Sequence, residues 1–153
     1  AHFNPFVSLA MFFRKKIKSD LLKYYIPAQI SGCLFGVMLA NVFFEHAILE
    51  LSTKNRDGLH IFFSEIIATF GLIFVIFATL KDGKTIVAIS VATYISAGYW
   101  FTSSTSFANP AVSIARTFTD SFTGINYLNT PTYILAEFIG LILAAYILKI
   151  IYK

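Results

Sequence analysis

The apolar positions of the chain gather into four long runs separated by short charged connections: roughly Tyr24 to Phe44, Leu59 to Leu80, Thr85 to Phe101 and Tyr133 to Ile151. Crossing a hydrocarbon core takes about 20 helical residues, so each run predicts a spanning helix, the third being the shortest. Strict alternation of apolar and polar residues is absent, and lipid admits only helices or closed barrels. The predicted fold class is therefore an all-α membrane protein. Two further stretches, Pro5 to about Phe13 and Pro110 to about Phe118, carry helical pattern but are too short to span, and each predicts a half-helix that re-enters the membrane.

Composition agrees. Hydrophobic residues make up 57% and charged ones only 13%, well outside the range of ordinary soluble domains. The net charge of +4 is not spread over a face that nucleic acid could read, so no nucleic-acid partner is expected. The expected surroundings are membrane lipid, met by the many Phe and Tyr residues.

The charges sit where topology wants them. Arg14, Lys15, Lys16, Lys18 and Lys23 precede the first run, Lys81 and Lys84 lie between the second and third, and Lys149 and Lys153 close the last. By the positive-inside rule these are cytoplasmic, including the C-terminus, in an inner cell membrane. Lys54 and Arg56, offset by Glu45, Glu50 and Asp57, and Arg116 with Asp120 fall on the outer side.

Several chemistries are excluded. His2, His46 and His60 have no metal-ligand spacing, and neither a Ser-His-Asp set nor a carboxylate pair is present. No enzyme, metal or cofactor is expected. Cys33, the lone cysteine, reads as a small packing residue. The chain has no signal-peptide pattern and opens inside a motif without an initiator Met. That opening predicts a C-terminal portion of a longer protein or a truncated gene.

The two short stretches are copies of one another. Aligning Asn4 with Asn109 pairs Pro5 with Pro110, Val7 with Val112, Ser8 with Ser113 and Ala10 with Ala115; farther on, after a three-residue offset, Ala28-Gln29 and Gly32 answer Ala136-Glu137 and Gly140. The charge pattern brings them in from opposite sides, which makes an inverted repeat with a transport path between the halves. One transmembrane domain, 1–153, is expected, with an incomplete first repeat at 1–45 and a complete second at 59–153.

Each Asn-Pro corner starts a helix, because Asn is a favoured N-cap and Pro fits the first helical position. A single such corner is ordinarily no more than a surface cap. Two facing corners would bring two positive dipole ends to one spot, repelling cations, while their amides could donate to a neutral solute.

With "FNPFVSLA" and "FANPAVSIA" in place, the chain resembles the aquaporin and glycerol-facilitator family of major intrinsic proteins, in its bacterial branch, over essentially its whole length. The resemblance implies a passive channel for small uncharged solutes, with six spanning helices arranged three plus three, a pore through each subunit and homotetramers. On that pattern the first two helices are missing. A different class of protein, a non-conducting membrane remnant or an interaction subunit, would fit the same absence.

The resemblance also assigns roles. Asn4, Pro5, Phe6, Asn109, Pro110 and Ala111 match the pore motifs, although Phe6 stands where the family usually has Ala. Its ring either narrows the passage or turns toward the missing helices. Ala97, Gly98, Ser106, Val112 and Arg116 fall in the selectivity region, with Val112 where water-selective members place Arg. Arg116, one turn on, either reaches back to the filter or forms an i,i+4 pair with Asp120, the reading that spacing favours. A small apolar filter points to glycerol-like polyols and metalloid hydroxides besides water. Glu65 and Glu137 resemble the family's buried supports of the pore loops. Gly32 with Gly36, and Gly140 with Ala144, read as helix-packing pairs.

Overall fold

The computed structural model describes residues 2–152, so the terminal Lys153 counted among the inner-side charges lies outside the described residues. Its helices are α1 (Pro5–Phe13), α2 (Ser19–Phe43), α3 (Leu59–Thr79), α4 (Lys84–Phe101), α5 (Pro110–Ala115) and α6 (Thr130–Ile151), with short 3₁₀ turns at Leu80–Asp82 and Arg116–Phe118. The described residues are all-helical apart from turns and loops. Two compact units form, as far as described: residues 2–57 with 109–134, and residues 58–108 with 135–152. The units cut across the sequence repeat, since half-helix α5 belongs with α1 and α2.

In the first unit, α1 and α5 both pack against α2 and touch each other. The helix α2 starts at Ser19, five residues before the apolar run, because its first turn is polar yet helix-forming and holds a Lys23–Asp20 ion pair at 3.1 Å. Hydropathy locates the span but not the helix start. The connection after α2 lies extended along residues 116–126. Ser52 N donates to Thr117 O at 2.9 Å and Asn126 N to Lys54 O at 2.8 Å. Arg56 clamps the same segment, donating from Nε to Gly124 O at 2.8 Å and from Nη2 to Phe122 O at 2.6 Å. Gly124 permits this close approach, because a Cβ there would stand 2.2 Å from Thr119 O.

The second unit is built on α3 and α4, with α6 packed on α3. Tyr94 of α4 donates its hydroxyl to Ile67 O and Ala68 O at 3.2 and 3.1 Å. Gly140 of α6 sits directly on α3: a Cβ there would meet Ile66 O at 2.6 Å and the Thr69 Cβ at 2.9 Å. This is the close approach of small residues that lipid-embedded helices use.

Three helical stretches, Ser19–Phe43, Leu59–Asp82 and Thr130–Ile151, are long and apolar enough to cross a membrane. At 18 residues, α4 reaches about 27 Å, just short of a hydrocarbon core. Half-helix α1 coincides with its expected range, whereas α5 is a six-residue helix that tightens into the 3₁₀ turn before Phe118.

One packing expectation does not hold. Among the described residues, no heavy atom beyond the glycine's own chain neighbours and helix backbone lies within 4 Å of a Cβ placed on Gly32 or Gly36. Identical small-residue spacing therefore serves two ends: contact at Gly140, open space at Gly32 and Gly36.

That contrast is testable. Gly140→Ala forces α6 off α3 and is expected to cost about 1–3 kcal/mol as an overpacked contact. Gly32→Ala fills open space and, by helix propensity, is neutral or stabilising by up to about 1 kcal/mol. Thermal unfolding in detergent separates them, and equal shifts for the two variants would refute the assignment.

Candidate functional site

The two Asn-Pro corners have matching backbones. Asn4 (φ −154°, ψ 122°) and Asn109 (φ −161°, ψ 108°) are extended N-caps followed by Pro. The residue before each, Phe3 at φ 55° and Ala108 at φ 48°, is left-handed. The Asn4 Oδ1 accepts from Phe6 N at 2.9 Å and Val7 N at 3.4 Å, and the Asn109 Oδ1 accepts from Ala111 N at 3.1 Å. Each side-chain oxygen thus satisfies helix-end donors. The Asn109 amide then reaches to the other corner, donating from Nδ2 to Phe3 O at 2.9 Å. Both corners meet within the first unit.

Polar side chains brace the first corner, Gln29 from α2 and Ser8 from α1 itself. Ser8, fully buried, donates to Asn4 O at 3.2 Å, receives Gln29 Nε2 at 2.9 Å and lies 3.0 Å from His2 Nδ1. Phe6 is buried, at 8% exposure, as are Pro5, Pro110 and Ala111.

In the second unit, Glu65 holds the loop that leads to Asn109. Completely buried, it accepts from Phe107 N through Oε1 at 2.9 Å and from Ala108 N through Oε2 at 2.8 Å. The loop needs such a hold: Thr105, Ser106 and Ala108 all have positive φ, between 48° and 66°, at a cost of about 1–3 kcal/mol each for a non-glycine residue. Ser104 Oγ adds a further bond from Ser106 N at 3.2 Å. Glu137 is also fully buried in α6.

A line of cavities follows one side of α2. The largest, about 590 Å³, is bounded by His2, Phe3, Tyr25, Ala28, Gln29, Gly32 and Cys33. Cys33 also bounds a smaller one of about 210 Å³ with Gly36, Val37, Ala40, Val112, Ala115 and Arg116. Val37, Ala40 and Arg116 are shared in turn with a third, about 370 Å³, that includes Asn41, His46, Ser121 and Thr123. Positions 25, 28–29, 32–33, 36–37, 40–41 and 44 recur at helical spacing, so one stripe of α2 lines all three.

The expected selectivity residues divide. Val112 and Arg116 share the smallest cavity, whereas Gly98 and Ser106 pack on each other in the second unit, where a Gly98 Cβ would stand 2.6 Å from Ser106 Oγ. Ala97 is exposed on α4. The Arg116–Asp120 pair is not formed. Residues 116–118 leave the α-helix for a 3₁₀ turn and Thr119 is extended at φ −148°, so the i,i+4 register is lost. Asp120 instead accepts from Thr53 N at 2.8 Å, from Thr53 Oγ1 at 3.1 Å and from Ser52 Oγ at 3.3 Å. The Arg116 guanidinium bonds Thr123 Oγ1.

The chain matches the model of the family described as Major intrinsic protein over residues 1–96. The chain belongs to that family. It is 40% identical over 149 residues to aquaglyceroporin AqpS of Rhizobium meliloti (strain 1021), covering 97% of this chain and 64% of that protein. It is 28% identical to aquaporin-4 of Rattus norvegicus and 26% to that of Homo sapiens, covering 94% of this chain and 46% of each. The chain thus spans between about half and two thirds of the length of these relatives.

Two features of this major intrinsic protein were missed in the sequence. The α2 stripe was one, although Ala28, Gly32, Gly36 and Ala40 recur every four residues and could have marked an open face. Asn41 was the other. At 2% exposure it ties α2 to the segments around residues 48 and 118, donating from Nδ2 to Phe118 O at 2.9 Å and Ile48 O at 3.3 Å; a buried Asn near the end of an apolar run was its only sign.

Two predictions follow from the supports. Glu65→Gln keeps the shape but leaves one acceptor oxygen for two backbone N–H groups, and stranding one is expected to cost about 1–3 kcal/mol. Unchanged thermal unfolding in detergent would show that the loop holds itself. The Asp120 carboxyl lies below the ordinary carboxylate range, chiefly through the Thr53 N–H, opposed by desolvation and aided by the Thr53 hydroxyl, Lys54 and Ser52. A lowered pKa stabilises fully above the unfolded value of about 3.9, and the contribution is lost as pH falls through the folded value. Hydrogen exchange at Thr53, corrected for intrinsic rates, should lose protection on acidification below that point, and Asp120→Asn should remove this acid-dependent step.

Proposed function

We propose that this protein is a passive membrane channel, one aquaporin-like transmembrane domain that conducts water and glycerol-like polyols, with metalloid hydroxides in the same class, and excludes ions. The carrying observation is the pair of Asn-capped half-helices joined by the Asn109 Nδ2 bond to Phe3 O. Their N-termini present partial positive charge and amide donors together, a combination that suits a neutral hydrogen-bonding solute and disfavours a cation. Membership of a channel family and similarity to an aquaglyceroporin support the reading; the chemistry is positioning and exclusion, not catalysis.

The proposed path follows the α2 stripe past Cys33 to Val112 and Arg116, on the support of the shared cavities. Small residues at Gly32, Gly36 and Ala40 suit a solute larger than water. In this reading α4 also spans, making four spanning helices, the C-terminus is cytoplasmic in the inner membrane and four copies assemble. A second reading, a non-conducting subunit that packs against other channel chains, draws on α2, of whose apolar window only 11% is buried within the chain.

Osmotic light scattering on liposomes carrying the protein decides between them. Channel function is expected to accelerate both water and glycerol equilibration without raising ion conductance, and rates equal to empty vesicles for both solutes would leave only the second reading.

Selectivity gives a sharper test. Because Arg116 is released from Asp120 and borders two cavities, it is the proposed cation of the outer constriction, with Val112 the apolar wall beside it. Val112→Arg should slow glycerol far more than water, by roughly tenfold if the added bulk raises its barrier by about 1.4 kcal/mol. Arg116→Ala should raise glycerol flux relative to water. An unchanged ratio in Arg116→Ala would remove Arg116 from the filter.

A further inference from the structure

The inverted repeat puts equivalent turns after the two half-helices, and they differ in charge. Under the Asn4–Asn109 alignment, Lys15, Lys16 and Lys18 fall opposite Asp120, Ser121 and Thr123. The outer turn is strapped to Ser52 and Thr53 through Asp120. The inner turn is closed by its own backbone, with Arg14 N, Lys15 N and Lys16 N donating to Ala10 O, Phe12 O and Met11 O at 3.0, 2.8 and 2.8 Å, and Lys15 in the left-handed region at φ 55°.

That fixed turn displays cations. Lys15, Lys16 and Lys18 are exposed and make no ion pair among the described residues, while the one acid nearby, Asp20, is taken by Lys23 at 3.1 Å. The C-terminal end of α1 accounts for one or two positive charges beside it, not for the whole cluster. Phe13 and Tyr24, 49% and 70% exposed, flank the turn as interfacial aromatics do, setting it at headgroup depth where α2 enters the membrane.

We propose that the α1–α2 turn is a docking surface for anionic phospholipid headgroups. A cluster of lysines immediately outside a spanning helix attracts an anionic leaflet electrostatically, and a turn already closed by backbone bonds loses little freedom on binding. The lipid would brace the base of half-helix α1, and so the first Asn-Pro corner, in the way that the Asp120 strap braces the second. This surface operates whether or not the protein conducts.

The test uses purified protein in neutral detergent micelles doped with phosphatidylglycerol or, as control, phosphatidylcholine. Phosphatidylglycerol is expected to raise the unfolding temperature by several degrees at low salt and much less at high salt. Substituting Lys15→Gln, Lys16→Gln and Lys18→Gln together should abolish most of that rise. The arginine triple at the same positions should keep it, as should Lys81→Gln with Lys84→Gln on the α3–α4 connection. Should the glutamine triple fold poorly, Lys16→Gln alone should still give a partial loss. A full rise in the glutamine variants, or an equal rise from soluble glycerol 3-phosphate at the same phosphate concentration, would overturn the proposal.

Discussion

Backbone hydrogen bonding where helices break is the constraint on which this structure depends. Lipid offers no partner to an exposed N–H or C=O, so any break in a helix must be satisfied from within. The chain breaks its helices at two Asn-Pro corners and repairs each break with side chains. Asn4 and Asn109 take up the first amides of α1 and α5, and Glu65 takes up those of Phe107 and Ala108 just before the second corner. The Asn109 amide in turn joins one corner to the other.

The two halves meet this constraint by different means. At the second corner a carboxylate from α3 holds a loop with three left-handed residues, while the extended connection after α2 is pinned through Asp120 and Arg56. At the first corner, Ser8 gathers Asn4 O, Gln29 and His2 into one small network. Gln29 and Glu137 occupy related places in the repeat, one a neutral amide and the other a buried acid. The backbone geometry is shared, with left-handed Phe3 and Ala108 before the two asparagines.

Small residues show how context decides a role. Gly140 is required because α6 lies against the backbone of α3, and Gly98 because Ser106 presses on it. Gly32 and Gly36 have the same spacing and no such neighbours; they border cavities instead. Arg116 follows the same logic. Helical spacing offers it Asp120, but the turn at 116–118 carries the acid away to Thr53 and leaves the guanidinium on Thr123, at the edge of two cavities.

Much of the molecule was legible in its sequence. The apolar runs, the start of each half-helix at Pro5 and Pro110, and the duplicated corners all follow from local rules: lipid selects helices, Asn caps them, and Pro begins them. Glu65 stood out because a carboxylate inside an apolar run demands a partner. What only tertiary structure decided is who the partners are. Whether a glycine meets a backbone or open space, whether Arg116 finds Asp120 or Thr123, and which side of α2 stays open depend on residues up to a hundred positions away. Local propensity cannot encode these choices, because the same spacing is compatible with either outcome until the helices pack.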